Sequence, residues 1–402
     1  MSTQASTNES SLQPYGFNIE QWRRRVPACE RLVLMNNCSQ TPQTDHTRMA
    51  AERYLESWSR EVMDWDRWED EVDALKADFA AFINASPDEI ATLTSVSEAT
   101  AVLISALPLK DRKKVVLTEA EFPCVAHIIL AHGRYGLEPA WVPIRDEIIH
   151  AEDYDPLIDE STLLVSATHA FYQNGYVQDI AAIAKKAHDK GAFLFVDAYQ
   201  SSGIVPIDVK AMDVDFLTTG TLKWMFGVPG IAFLYAKKEL LPLLEPAHTG
   251  WFGRTDVFAF DPKLLDWHPT AKRLETGTWP VPAVYIARGG LEVITEVGVE
   301  NIQNYTRTLS ARIIERGRAQ GLTLYGTDDV TLKTPITSFM CPGDSHVAQD
   351  LMLKHGVIAP ARGPVIRLAP HFYNLPEECD YAVDALAQVY KEPELLASTP
   401  RH

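Results

Sequence analysis

Two charged residues in this sequence stand in company that suits chemistry better than solubility. The stretch FLFVDAYQSSG (193–203) runs through apolar and aromatic residues into Asp197. Further on, TTGTLKWMFGVPG (218–230) sets Lys223 among small and apolar neighbours. Desolvation disfavours the ammonium form of a lysine in such surroundings. The free amine can then form a Schiff base or serve as a general base. A carboxylate at a strand end can face a heterocyclic nitrogen and keep it protonated. Pyridoxal phosphate asks for both: an amine for its aldehyde and a carboxylate for its pyridine nitrogen. Taken singly, Asp197 reads as a helix cap and Lys223 as a surface lysine, so the inference rests on the pair.

A phosphate site is also required, and TLTSVSEATAVLISAL (92–107) offers one. Ser95 and Ser97 fall where an apolar helix begins, and free N–H groups at a helix start bind anions, with hydroxyls adding donors. Without a ligand the same residues read as a capping box.

The elements that must position these groups follow from the apolar pattern. KVVLTE (114–119), TLLVSAT (162–168), AFLFVD (192–197) and VDFLTT (214–219) read as buried strands, and DIAAIAKKAHDKG (179–191) as a helix ending at a glycine. Their alternation predicts an α/β domain with a mostly parallel sheet. GIAFLYAKKEL (230–240) follows a VPG turn closely enough to run antiparallel beside it. Residues 45–83 read as one long helix, with Leu55, Trp58, Val62, Trp65, Val72, Leu75 and Phe79 near helical spacing and the tryptophans as packing anchors. After residue 283 two helices precede ITSFMC, GVIAPA and VIRLAP, which fit the sheet of a smaller C-terminal domain. The expected division is a flexible tail (1–20), a large domain including the N-terminal segment (21–282) and a small domain (283–402). Ligands of open parallel sheets lie beyond the carboxyl ends of the strands, where Asp197, the segment after Thr168 and the approach to Lys223 all fall.

The phrase FVDAYQSSGIVPIDVKAMDVDFLTTGTLKWMFGVPGIAFLY resembles the class V aminotransferase family of fold type I pyridoxal-phosphate enzymes, which includes cysteine desulfurases, selenocysteine lyases and kynureninases. The similarity runs from LVLMNNCSQTP to VIRLAPHFYN. It implies a large domain with a mostly parallel mixed sheet flanked by helices and a smaller α+β domain. It also implies Lys223 as the Schiff-base lysine, Asp197 on the pyridinium nitrogen and Gln200 near the cofactor's phenolic oxygen. Ser97, Ser95 and the backbone amide of Glu98 would hold the phosphate. Phe122, in EFPCVAHI (121–128), would lie against the ring as in kynureninases, and His169 falls in the family's cofactor region. Trp251, in GWFGRTDVFAFD (250–261), and Thr278, in ETGTWPVPAV (275–284), would reach the phosphate of a partner subunit, making a homodimer with a composite active site. Arg367 would bind the substrate carboxylate, since a planar guanidinium can grip it with two hydrogen bonds. Arg362 is a second candidate, and Asn37 and Cys38 would line the pocket.

The pattern departs from its relatives in ways that bear on the reaction. The stretch HGVIAPARGPVIR (355–367) holds no cysteine where cysteine desulfurases carry their nucleophile, which disfavours persulfide formation. AYQ after Asp197 and Gln173 in FYQNGY argue against a kynureninase, and Leu222 stands where relatives often have His or Tyr. The expected reaction is transamination of a small α-amino acid, with β-elimination next; racemisation and decarboxylation use overlapping machinery. A non-catalytic cofactor-binding protein is the least favoured reading, and no GxGxxG follows a strand to support a nicotinamide dehydrogenase.

The remaining composition narrows the partners. The 402 residues hold 54 acidic against 37 basic side chains, a formal charge of −17 that would repel nucleic acid or an anionic membrane. No apolar run approaches the ~20 residues of a transmembrane helix, and the polar N-terminus lacks the regions of a secretory signal. The 5 cysteines, scattered and without CxxC, and the 12 histidines, without HExxH, predict neither disulfides nor a metal site. A cytoplasmic protein is expected.

Overall fold

A computed structural model of the chain describes residues 15–392 together with 394, 396 and 397. Of the expected flexible tail, residues 1–14 lie outside the described residues. Residues 15–20 are docked rather than loose: Phe17 is buried, the Tyr15 ring meets Tyr305 with centroids 4.8 Å apart, and the helix Ile19–Arg24 has begun.

Seven strands form the central sheet, in the order Ile90–Leu93, Ala232–Ala236, Phe216–Gly220, Phe193–Asp197, Thr162–Thr168, Lys114–Thr118, Glu138–Val142. Pairing is parallel except around Ala232–Ala236, which runs antiparallel to both neighbours, as its short connection requires. The central strands read as unbroken apolar runs because both faces are covered. On one face Val72, Leu75 and Phe79 of the helix Trp65–Phe82 pack with Ile183 and Ala187 of the helix Ile180–Asp189. On the other, Val102 and Leu103 of the helix Val96–Ala106 pack with Val125 and Ile129 of the helix Pro123–Ala131.

The long helix expected over 45–83 is two helices, Asp45–Glu61 and Trp65–Phe82. Val62 between them has φ 63°, and Asp64 caps the second helix by accepting from Arg67 N at 3.2 Å. An N-capping carboxylate in mid-pattern is a helix start, and here it outweighs the continuous apolar spacing. Leu55, Trp58 and Val62 are accordingly exposed, so Trp58 is not a packing anchor, whereas Trp65 packs half-buried against the core and Val72, Leu75 and Phe79 are buried.

The C-terminal part carries the helices Val281–Val297 and Val299–Ala319 and a four-stranded antiparallel sheet in the order Ala361–Arg362, Val365–Leu368, Thr337–Met340, Leu324–Tyr325. The stretch GVIAPA divides: Val357–Ile358 leaves that sheet and pairs in parallel with Val33–Leu34. The N-terminal segment, grouped by sequence with the large domain, therefore packs with the C-terminal part, and Leu34, Met35 and Cys38 share a core with Val357, Leu368 and Phe372. The helix Val281–Val297 joins the two layers, burying Val284 and Leu291 in one core and Val293 and Ile294 in the other. No helix among the described residues is long and apolar enough to cross a membrane.

That joining helix also supports the lysine loop. A Cβ on Gly290 would lie 2.1 Å from the carbonyl oxygen of Met225, two residues past Lys223. Gly290→Ala is expected to cost about 1–3 kcal/mol of stability, visible as a lower thermal midpoint. Gly133→Ala is the control, because a Cβ there would meet no atom within 4 Å, and its midpoint should not fall.

Candidate active site

The carboxyl ends of the parallel strands open into a cavity of about 370 Å³. Ser95, Ser97, Phe122, Asp197, Gln200, Lys223, Arg362 and Arg367 all line it. Residues far apart in sequence thus converge where strand ends, the start of one helix and the C-terminal sheet meet.

Asp197 is the last residue of its strand and lies beside Thr168, its register partner on the next strand. Its carboxylate accepts from Tyr199 N at 2.9 Å. Burial raises its pKa, against the opposing pull of that hydrogen bond and of the Lys223 charge. Close by, Glu121 accepts from the hydroxyls of Ser166 at 3.0 Å and Thr168 at 3.3 Å. Burial first, and the Asp197 charge second, push Glu121 up to about 8.

Lys223 is held through its backbone while its amine stays uncommitted. Thr41 donates to the Lys223 carbonyl at 2.6 Å, and His371 Nε2 donates to the Trp224 carbonyl at 3.1 Å. The His371 tautomer is fixed from its other side, where Nδ1 accepts from Phe372 N. The Lys223 amine lies 4.1 Å from the Tyr199 ring centroid and 5.5 Å from that of Phe122, and the structure gives it no ion pair among the described residues. Desolvation lowers its pKa to about 8; the charges of Arg367 and Arg362 act in the same direction, and those of Asp197 and Cys38 against it.

Gln200 has a positioning task that the sequence did not reveal. Its Oε1 accepts from the Trp224 indole at 3.1 Å and its Nε2 donates to the Cys38 carbonyl at 3.0 Å. Because the indole can only donate and the carbonyl only accept, the amide orientation is unambiguous, and one amide proton remains. Ser95 caps its helix by accepting from Glu98 N at 3.1 Å, which leaves its own hydroxyl proton free to donate. The Glu98 amide, expected to face a phosphate, donates to Ser95 in this structure. The Glu98 carboxylate receives Thr94 and Thr276, and although burial raises its pKa, those hydrogen bonds outweigh it and hold it low.

Arg367 is almost wholly buried. It donates to the Tyr172 carbonyl at 2.6 Å and to Ser39 Oγ at 2.9 Å, and its Nε has no partner.

Two expected pocket residues are not among the residues lining the cavity. Asn37 is buried and committed, accepting from the Tyr373 hydroxyl and donating to the Ala369 carbonyl at 2.8 Å. His169 follows the strand end, but its side chain is not on the wall; its backbone ties to Asp197 and Gln178, and burial lowers its pKa to about 4. Trp251 and Thr278 also lie off the cavity within one chain. Trp251 packs on Phe252 and stacks on Phe260, and Thr278 is exposed. Their segments are pressed together: a Cβ on Gly250 would lie 2.0 Å from the Thr276 carbonyl. Sequence reasoning missed Tyr199, Tyr172, Ser39 and Glu121. Tyr199 and Glu121 sit inside the quoted phrases DAYQ and EFP, so proximity to Asp197 and Phe122 was the available signal.

Residues 36–363 match the model of the family described as Aminotransferase class-V. The chain is 36% identical to the uncharacterized aminotransferase YcbU of Bacillus subtilis, over 92% of this chain and 97% of that protein. It is 27% identical to the kynureninase of Pseudomonas fluorescens, over 74% of this chain and 73% of that protein. Among solved structures, a cysteine desulfurase from Thermococcus onnurineus superposes with a TM-score of 0.84 at 21% identity, covering 92% of this chain and 98% of that one. The fold is thus fold type I, and the chain belongs to the class-V aminotransferase family.

The low pKa of Lys223 has a direct readout. An unbonded amine near 8 is neutral about 10²-fold more often at pH 7 than an ordinary lysine. In protein cleared of carbonyl compounds by hydroxylamine, trace acetylation read by peptide mass spectrometry is expected to label Lys223 ahead of exposed lysines, with a midpoint near pH 8. The midpoint moves up in Arg362→Leu, which removes a cation, and down in Asp197→Asn, which removes an anion.

Proposed function

We propose that this chain is a pyridoxal-phosphate-dependent enzyme that transaminates a small α-amino acid. The observation that carries the reading is the uncommitted, desolvated amine of Lys223 in one cavity with the buried carboxylate of Asp197. The donor set fits the cofactor: Ser95 and Ser97 at a helix start suit its phosphate, Asp197 its pyridine nitrogen, Phe122 its flat face and Lys223 its aldehyde. When bound, the cofactor supplies an electron-withdrawing ring that stabilises negative charge on the substrate's α-carbon.

This chain's residues account for the rest. Asp197 holds a proton at the ring nitrogen, and its burial keeps water from competing for it. Protonated Glu121 adds no second negative charge beside it near neutral pH. The remaining amide proton of Gln200 is available to the phenolic oxygen. Arg367, with its unpartnered Nε, grips the α-carboxylate and so orients the α-hydrogen. Lys223 would take the α-proton as general base and deliver it to another carbon, the proton shift that transamination requires before the amino group passes to a 2-oxo acid. Leu222 and Ile231 contribute apolar wall that limits water.

The site is completed by a second copy of the chain, with Trp251 and Thr278 reaching the partner's phosphate end. Support comes from Phe258 and Phe260, exposed and in ring contact with Trp251, and from exposed Leu264 and Leu265 further along the chain, which a monomer would leave in water.

Two experiments test this reading. Borohydride should fix the cofactor to residue 223, and Lys223→Ala should lose that attachment and about 10³-fold or more in turnover; a variant that kept full turnover would overturn the assignment. A panel of amino acids with and without a 2-oxo acid then decides the reaction: accumulation of the amine form of the cofactor supports transamination. Pyruvate and ammonia from a β-substituted amino acid, without an acceptor, would assign β-elimination instead. For the composite site, mixing Lys223→Ala with Trp251→Ala subunits should recover up to about a quarter of wild-type activity, because a mixed dimer has one intact site.

A further inference from the structure

The cavity holds one more cation than the proposed function uses. Its lining contains Lys223, Arg362 and Arg367 against one acid, Asp197. Granting the reading above, on which this inference rests, Lys223 and Asp197 serve the cofactor and Arg367 takes the α-carboxylate. Arg362 is left without a task.

Its position is built rather than accidental. Arg362 pairs with Val365 across the antiparallel hairpin, and Ala361 pairs with Ile366. Side chains alternate along a strand, so Arg362 shares a face with Val365 and with Arg367 two residues on. The two arginines are diagonal neighbours, a relation that spans roughly 7–8 Å. The hairpin is braced from the helix Ser345–Lys354: Gln349 accepts from Ala361 N at 2.8 Å, and Ser345 donates to the Gly363 carbonyl at 2.6 Å. Arg362 itself donates to the Ala361 carbonyl at 3.0 Å, and neither arginine forms an ion pair among the described residues. The proposed phosphate end of the cavity, at Ser95 and Ser97, comes from a separate element, the start of the helix Val96–Ala106. Arg362 is half-buried beside the buried Arg367, and a second guanidinium partly withdrawn from water is best satisfied by a ligand that brings a matching anion.

We propose that the substrate is an α-amino acid whose side chain carries a second carboxylate, with Arg367 binding the α-carboxylate and Arg362 the distal one. Recognition by a fixed pair of guanidiniums selects both the charge and the spacing of the two carboxylates.

Calorimetric titration of the cofactor-loaded protein, in phosphate-free buffer, with glutarate and with pentanoate tests this without relying on turnover. Glutarate is expected to bind about 10- to 100-fold more tightly. In Arg362→Leu that ratio should fall to near one, and Arg362→Lys should restore part of it. The same order should hold for L-glutamate over L-norvaline, read by the change in cofactor absorbance. Equal binding of the two acids by the wild type would overturn the proposal. So would an Arg362→Leu variant that weakens both by the same factor, which would mean that both arginines grip one carboxylate. Borohydride trapping at Lys223 reports on the cofactor reading separately, and titration of the cofactor-free protein still decides the dicarboxylate preference if trapping fails.

Discussion

An amine that is to react at neutral pH must be kept from water without being tied into a salt bridge. Lys223 meets both conditions, and much of the structure serves to maintain them. Its backbone is fastened by Thr41 and, through Trp224, by His371 and Gln200, while its amine lies over the Tyr199 and Phe122 rings and feels the charges of Asp197 and the two arginines without an ion pair among the described residues. Gly290 lets the joining helix press directly on the loop that follows. Holding the chain while sparing the side chain is what allows desolvation to set the amine's pKa.

The electrostatics of the cavity follow from that arrangement. Asp197 and Glu121 are buried near each other, and two neighbouring carboxylates do not both ionise readily. Burial and the Asp197 charge raise the pKa of Glu121 against the opposing pull of the Ser166 and Thr168 hydroxyls, and so leave Asp197 as the principal negative charge. On the other side the two arginines of one hairpin add positive charge that depresses Lys223 further. A cavity of this polarity favours anionic ligands over neutral ones before any shape is considered.

The layers were legible in the sequence because burial on both faces writes itself as a continuous apolar run. The strand Thr162–Thr168 falls on the quoted residues, and the helix Ile180–Asp189 begins after its capping Asp179. The apparent helix 45–83 misled because apolar spacing persists across Asp64, whose side chain closes a new helix start. GVIAPA misled because an edge strand of two residues carries no sign of its partner, and the partner is Val33–Leu34.

Which residues end strands, which begin helices and which charged groups stand in apolar company depends on neighbours in the chain, so the sequence alone could point to Asp197, Lys223, Ser95, Ser97 and Arg367. The hydrogen-bond partner of each polar group came from the folded arrangement. Asn37 is taken by Tyr373 and Ala369, the Glu98 amide by Ser95, and part of Gln200 by Trp224 and Cys38. Folding also put Arg362 on one face with Arg367, because the register of their hairpin is held against the strand Thr337–Met340 and the helix Ser345–Lys354. A buried polar group must find a partner, and that partner is a matter of proximity in space.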